Sequence, residues 1–233
     1  MRVLILIISS ENLPVYKKEK ALWRTYMTSH PEIDAYFIES RVDVSTPYME
    51  NQTIYTRGEE SYQQLIHKTL DALQFCMSTS THYDYIIRTN LSTVWDFNAL
   101  YTHLQNCLKE NYLKERFYSG QTGVYYNKTT RDYWFHFVGG MGIIMSKDVA
   151  TLLLENRGIT ESFRDIDDVD IGYTMYTMGV PIQPVYFCCW DKCIDSAESR
   201  SHFFYRMKQE GSNRENEHIL IEKLLSILYP LQN

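Results

Sequence analysis

Val3-Leu4-Ile5-Leu6-Ile7-Ile8 is an unbroken apolar run rich in β-branched residues that ends at Ser9-Ser10. That pattern predicts a first strand buried on both faces, with its polar carboxyl end free to meet a phosphate or a base. Lys17 to Thr28 sets Ala21, Leu22 and Met27 among charges before Pro31 and predicts a helix, and Ala35-Tyr36-Phe37-Ile38 predicts a second strand. Pro47 to Gly58 mixes polarities and turn residues, the composition of a loop able to fold over a ligand. Ser61-Tyr62-Gln63-Gln64 fits a capping box, after which Ile66, Leu70, Leu73 and Met77 recur at helical spacing. Tyr85-Ile86-Ile87 is the next buried strand, and Asp96 is placed to cap a helix striped by Phe97, Leu100, Leu104 and Leu108.

The second half is less regular. Phe117 to Gly120 and Gly123 to Tyr126 are expected to pair as strands, followed by the aromatic segment Tyr133 to Phe137. Gly139-Gly140-Met141-Gly142 precedes Ile143-Ile144-Met145, and Ser146 then caps a helix through Leu154 that is expected to stop at Gly158. Asp165, Asp167, Asp168 and Asp170 stand at the entry of a helix over Ile171 to Met178. Val185-Tyr186-Phe187 reads as a last strand, and Arg214 to Tyr229 as an amphipathic helix turning Leu220, Leu224, Leu225 and Leu228 inward. Strands alternating with helices predict an α/β fold with a mostly parallel central sheet flanked by helices. No repeat or linker interrupts residues 1–233, so a single domain is expected.

Composition narrows the function. A hydrophobic fraction of 44% supports a sizeable core, and a net charge of -6 without a Lys/Arg run argues against nucleic acid as partner. No apolar stretch approaches the roughly 20 residues a membrane span needs, and Val3 to Ile8 lacks a signal-peptide cleavage site. Five cysteines, an odd number, do not form a secreted disulfide framework and are expected reduced. Cys188, Cys189 and Cys193 with His202 match no common zinc spacing, so buried or incidental thiols are the simpler reading. Three sequons, at Asn51, Asn90 and Asn127, would matter only in a secretory lumen.

The chemistry is sought at strand ends. In open α/β sheets the ligand crevice lies beyond the carboxyl ends of the strands, which directs attention to Arg88, Asn90 and Ser92 after Ile87 and to Ser9 after Ile8. An ordinary polar turn after Ile87 is the competing explanation. Four carboxylates in six residues exceed what a helix dipole requires. The glycines at 139 and 140 let a backbone approach something closely, and the aromatics around Trp134 build either core or a wall for a flat ligand.

These blocks together resemble the inverting GT-A glycosyltransferases of the β1,3-galactosyl- and N-acetylglucosaminyltransferase kind, Fringe proteins included. The resemblance runs from about Ile54 to Gly179. Ser61-Tyr62 with Leu65 and Lys68-Thr69 is similar to the family's helix motif, and Tyr85-Ile86-Ile87-Arg88 to the strand leading into its metal-binding aspartates. Phe137 to Asp148 resembles its glycine-rich acceptor-side segment, and Asp167-Asp168-Val169-Asp170-Ile171-Gly172 its late acidic motif. The resemblance implies a Rossmann-like GT-A domain, with residues 1–100 as the nucleotide-binding half and 101–233 as the acceptor-side half. It further implies a nucleoside-diphosphate sugar as donor, most simply a UDP-sugar, and a glycan or glycoprotein as acceptor. By this match Asp168 is the candidate base for inverting transfer. Asp167, Gly139, Gly140 and Trp134 become the sugar or acceptor contacts, and Ser9, Lys68, Arg88, Asn90 and Ser92 the donor contacts. Asp165 and Asp170 are left as surface residues complementing the helix dipole, while Arg88 has an alternative as ion-pair partner of Asp84 or Asp96.

One departure is chemical. Where the family has its aspartate triplet, this chain has Asn90-Leu91-Ser92, which offers a neutral carbonyl, nothing, and a hydroxyl. Mn²⁺ or Mg²⁺ prefers anionic oxygen, so the sequence predicts weak metal binding at most, with Arg88 and Lys68 as the cations left to meet a diphosphate. His202 resembles the late histidine that can complete the family's metal site, although a histidine among aromatics is commonly structural. Loss of the triplet also motivates a rival reading, a glycosyltransferase-like module that binds without catalysing. A third, nucleotidyl transfer, lacks a glycine-rich triphosphate loop after the first strand. Animal relatives carry a membrane anchor, whereas this chain opens on its first strand, so a cytoplasmic protein of microbial or large-virus type is expected.

Overall fold

The computed structural model describes residues 1–110, 115–185, 188–189 and 202–230. In chain order the elements are β1 (Val3–Ile8), α1 (Pro14–Tyr26), β2 (Ile33–Arg41), β3 (Tyr48–Glu50), β4 (Thr53–Arg57), α2 (Leu65–Met77), β5 (Tyr85–Asn90), β6 (Thr93–Trp95) and α3 (Phe97–Lys109). There follow β7 (Tyr118–Gly120), β8 (Thr122–Tyr126), β9 (Tyr133–Val138), β10 (Gly142–Ser146), α4 (Lys147–Glu155), α5 (Arg157–Phe163), α6 (Asp167–Thr177), β11 (Ile182–Pro184), β12 (Cys188–Cys189), β13 (Phe204–Arg206) and α7 (Glu217–Leu228).

An eight-stranded mixed sheet in the order β11-β7-β10-β5-β1-β2-β4-β3 forms the centre, parallel through β5, β1, β2 and β4, with helices on both faces. This is the mostly parallel α/β architecture the alternation of elements predicted. The period of two along β1 explains why its whole run is apolar. Val3, Ile5 and Ile7 pack with Trp23, Phe97 and Leu100 on one face, while Leu4 and Leu6 pack with Ile66, Leu70 and Leu153 on the other. Asp96 caps α3 as expected, its carboxylate accepting from the Ala99 amide at 3.0 Å.

Several local expectations are corrected. Helix α1 starts at Pro14, whose fixed φ suits a first helical position, and buries Val15, Glu19, Trp23 and Tyr26 rather than Ala21 and Leu22. Pro47 to Gly58 holds the edge strands β3 and β4 instead of an open loop. The Ser61 hydroxyl makes no capping bond, and 62–64 is a single tight turn before α2. The two segments around Gly120 do not pair with each other: β7 joins the main sheet between β10 and β11, and β8 pairs with β9. Gly120, at φ 149°, breaks the chain between them; a side chain there would collide with the Gly142 backbone. Helix α4 ends at Glu155, so Gly158 lies inside α5. Helix α7 begins only at Glu217, with Ile221, Leu224 and Leu225 as its buried core. Val185 lies beyond β11, and the rest of the strand expected at Val185 to Phe187 is outside the described residues, as is Cys193 of the possible zinc set.

Candidate functional site

Strands β1 and β5 run side by side in parallel with Ile8 opposite Asn90, so their polar carboxyl ends emerge together. Strand β10 returns antiparallel along β5, with Gly142 opposite Thr89, and this lays the Gly139 to Met141 turn over the Arg88 side chain. The first turn of α6 brings Asp167 and Asp168 to the same place. These ends open on a cleft of about 640 Å³ lined by Ser9, Lys68, Arg88, Asn90, Ser92, Gly139, Gly140, Asp167 and Asp168, residues singled out from sequence alone.

Arg88 is 3% exposed and ties the halves together. Its Nε and Nη2 donate to the two Asp167 oxygens, each at 2.8 Å, while Nη1 donates to Asn90 Oδ1 at 2.8 Å and to the Gly140 carbonyl. A bidentate pair of this kind holds geometry as well as charge. Asp167 is therefore engaged by Arg88, with the Thr69 hydroxyl adding a bond at 3.3 Å, and it is 2% exposed. It is the Arg88 partner, which is neither Asp84 nor Asp96. Gly140 has no room for a side chain: a Cβ there would stand 2.5 Å from Arg88 Nη1 and 3.2 Å from Asp168 Oδ2.

Asp168 is half-buried beside this pair and faces the cleft. Its Oδ2 accepts from the Gly140 amide at 2.7 Å and its Oδ1 from Val169 at 3.0 Å. Burial pushes its pKa up, the negative charge of Asp167 adds to that, and Arg88 and the two amides oppose it. The result is a fixed carboxylate with more basicity than one in water. Asp165 is half-buried, paired with Lys128 at 2.6 Å and with the Tyr125 hydroxyl at 2.8 Å. Asp170 is not a surface residue: it is 1% exposed, binds the Asp165 amide at 2.8 Å, and burial raises its pKa to about 6.

Lys68, 1% exposed, donates to the Ser9 carbonyl at 3.0 Å and to Glu60 at 2.7 Å. Burial lowers its pKa against the pull of Glu60. The Ser9 hydroxyl is likewise engaged, donating to Glu39 at 2.6 Å. Trp134 is not brought to the cleft; it packs in an aromatic cluster with Phe163 and Tyr173 on the far side of the β8–β9 hairpin. His202 does not line the cleft either, and its carbonyl accepts from the Tyr205 hydroxyl at 2.8 Å.

The opposite wall was not foreseen from the sequence. Strand β13 pairs antiparallel with β6, Arg206 opposite Thr93, and carries Arg206 and Lys208 to the cleft; Arg214 follows, with Tyr16 and Glu19 from α1. The one available signal was two cations spaced two apart behind an aromatic strand, with Met207 between them.

The donor set does not fit a divalent cation. Asn90 Oδ1 accepts from Arg88 and Ser92 Oγ from Arg206, at 2.8 Å each, and Leu91 offers no oxygen beyond its backbone. Among the described residues no three His, Cys, Asp or Glu side chains gather as metal ligands, and no helix is long and apolar enough to cross a membrane.

A model of the Galactosyltransferase family matches residues 49–185, more than half of the chain. No curated protein matches by sequence. Among solved structures, a glycosyltransferase involved in the glycosylation of the major capsid of PBCV-1 shares the fold at a TM-score of 0.52 and 11% identity, over 95% of this chain and 99% of that one. A lower similarity, TM-score 0.48 at 10% identity, links 97% of this chain to 96% of an inositol-1-phosphate CTP transferase from T. maritima.

Proposed function

The chain belongs to the Galactosyltransferase family, and from that premise we propose that it transfers a sugar from a nucleoside-diphosphate donor to an acceptor hydroxyl with inversion. The observation that carries this reading is the position of Asp168, held by two amides in the cleft beside Arg88 and the β1 and β5 ends. In direct displacement the acceptor oxygen bonds to the anomeric carbon as that carbon's bond to the diphosphate oxygen breaks. The electron pair leaves with the diphosphate, and the acceptor proton passes to Asp168. A carboxylate whose pKa burial has raised accepts that proton more readily at neutral pH.

The donor is proposed to lie over the β1 and β5 ends, with a UDP-sugar as the first candidate and a glycan or glycoprotein acceptor approaching past Gly139 and Gly140. Among the described cleft residues Ser10, Asn12 and the exposed Tyr62 stand on the donor side, and Tyr62 offers a flat face to a base. Asp167 and Arg88 position the site rather than touch the reacting atoms.

Asp168→Asn tests the proposal. Transfer should fall by roughly 10²–10⁴-fold, the usual share of a general base, with melting temperature and donor binding retained. Unchanged turnover removes Asp168 from the role. Melting shifts with a panel of nucleotide sugars address the non-catalytic alternative, because a ligand of the native state raises apparent stability.

A further inference from the structure

The cleft has two sets of cations, and only one is neutralised. Arg88 is matched by Asp167 and Lys68 by Glu60, in buried pairs with N···O separations of 2.7–2.8 Å. On the other wall stand Arg206, Lys208 and Arg214, whose neighbouring carboxyls are Glu19, Glu217 and the exposed Glu210. Glu19 is fully buried, and among the described residues no N–H or O–H donor reaches either of its oxygens. Burial and the adjoining Glu217 push its pKa up to about 9, so Glu19 is neutral near pH 7. Three cations against the two remaining carboxyls, Glu217 and Glu210, leave this wall with a surplus of positive charge.

We propose that Arg206 and Lys208 form the subsite for the donor's diphosphate and supply the charge compensation a divalent cation would otherwise give. Their placement supports this. Arg206 and Lys208 lie two apart on an extended segment, so they share a face, while Met207 between them is fully buried in the core. Arg206 Nη1 is held at 2.8 Å by Ser92 Oγ, at the end of the segment that replaces the aspartate triplet, and the Met207 amide donates to the Ser92 carbonyl at 2.8 Å. A guanidinium thus stands on the side chain that would otherwise face a metal; among the described residues Nη1 bonds Ser92 and, at 3.4 Å, the Thr93 hydroxyl, and the rest of the fork is left for phosphate oxygens. Lys208 makes no hydrogen bond or ion pair among the described residues; burial and the nearby Arg206 and Arg214 lower its pKa, the mark of a cation whose neighbours repel it. Arg214 braces the wall through the Tyr16 hydroxyl at 2.6 Å and Glu217 at 3.6 Å. An anion on this wall relieves mutual repulsion and stabilises the leaving diphosphate as its bond to the sugar breaks.

This subsite rests on the reading of the cleft as a sugar-transfer site, and the experiment separates the two. Binding of UDP, GDP, CDP, ADP and inorganic pyrophosphate to the full chain is measured by calorimetry in EDTA and again with Mn²⁺, for wild type, Lys208→Met, Arg206→Met and Asp168→Asn. Expected is binding of at least one diphosphate that survives EDTA, weakens with salt, is retained in Asp168→Asn and falls roughly 10- to 100-fold in Lys208→Met. Lys208→Met keeps the apolar stem and decides the matter if Arg206→Met fails to fold. Binding that requires Mn²⁺, or that survives both substitutions, overturns the subsite and leaves sugar transfer standing. No binding of any nucleoside diphosphate, with or without Mn²⁺, overturns both.

Discussion

The two walls of the cleft are built from the same residue types and do opposite things. On one, Arg88 and Lys68 are almost fully buried and each is matched to a carboxylate, so their charge is turned inward and holds β5, α2 and α6 in register. On the other, Arg206 and Lys208 are half-buried, and the carboxyl of Glu19 beneath them is held neutral by burial. A cation in a cleft is thus not by itself a ligand contact. Its partner decides whether it stabilises the fold or waits for an anion.

The largest expected effect breaks the first wall. Asp167→Ala leaves the Arg88 guanidinium buried without its carboxylate and should cost about 3–5 kcal/mol, seen as a midpoint shift in urea unfolding. An unchanged midpoint would mean the pair is dispensable. Gly140→Ala comes next: the new methyl group meets Arg88 and Asp168, and overpacking of this kind costs about 1–3 kcal/mol with a matching loss of turnover. On the second wall Lys208→Met should change stability by no more than about 0.5 kcal/mol, because its partner is a ligand and not the fold. A large loss of stability there would erase the contrast between the walls.

A further effect is in pH. Glu19 keeps its proton up to about pH 9 when folded but releases it near 4.5 when unfolded. The folded state therefore binds more protons between those values, and stability from this group is full below 4.5 and drains away as pH climbs toward 9. Wild type should melt progressively lower from pH 5 to pH 8, while Glu19→Gln should lose that part of the slope. Parallel profiles would show that burial does not hold the proton on Glu19.

Much of the fold was legible because strand β1 and the stripes of α2 and α3 repeat one physical instruction over many residues. Short elements were not. Strands β7 and β8 look like partners along the chain, yet Gly120 sends them to different sheets, a choice made by the Gly142 backbone beyond it. Asp168, Gly140 and Arg88 were legible as members of motifs, and all fall inside residues 49–185. Arg206 and Lys208 lie outside that span, the first closing a strand of three residues and the second just beyond it, and the strand that sets them in the cleft, β6, is more than a hundred positions earlier.

By itself the sequence determined which faces are apolar, that the chain alternates strands and helices, and which polar residues stand at strand ends, because periodicity and side-chain chemistry are local. Only the tertiary structure decided which cation meets which acceptor: the Asp167 carboxylate rather than Asp84 or Asp96 for Arg88, and the Ser92 hydroxyl for Arg206. Partnership between charges depends on distance through space and on the water removed between them, and neither is written along the chain.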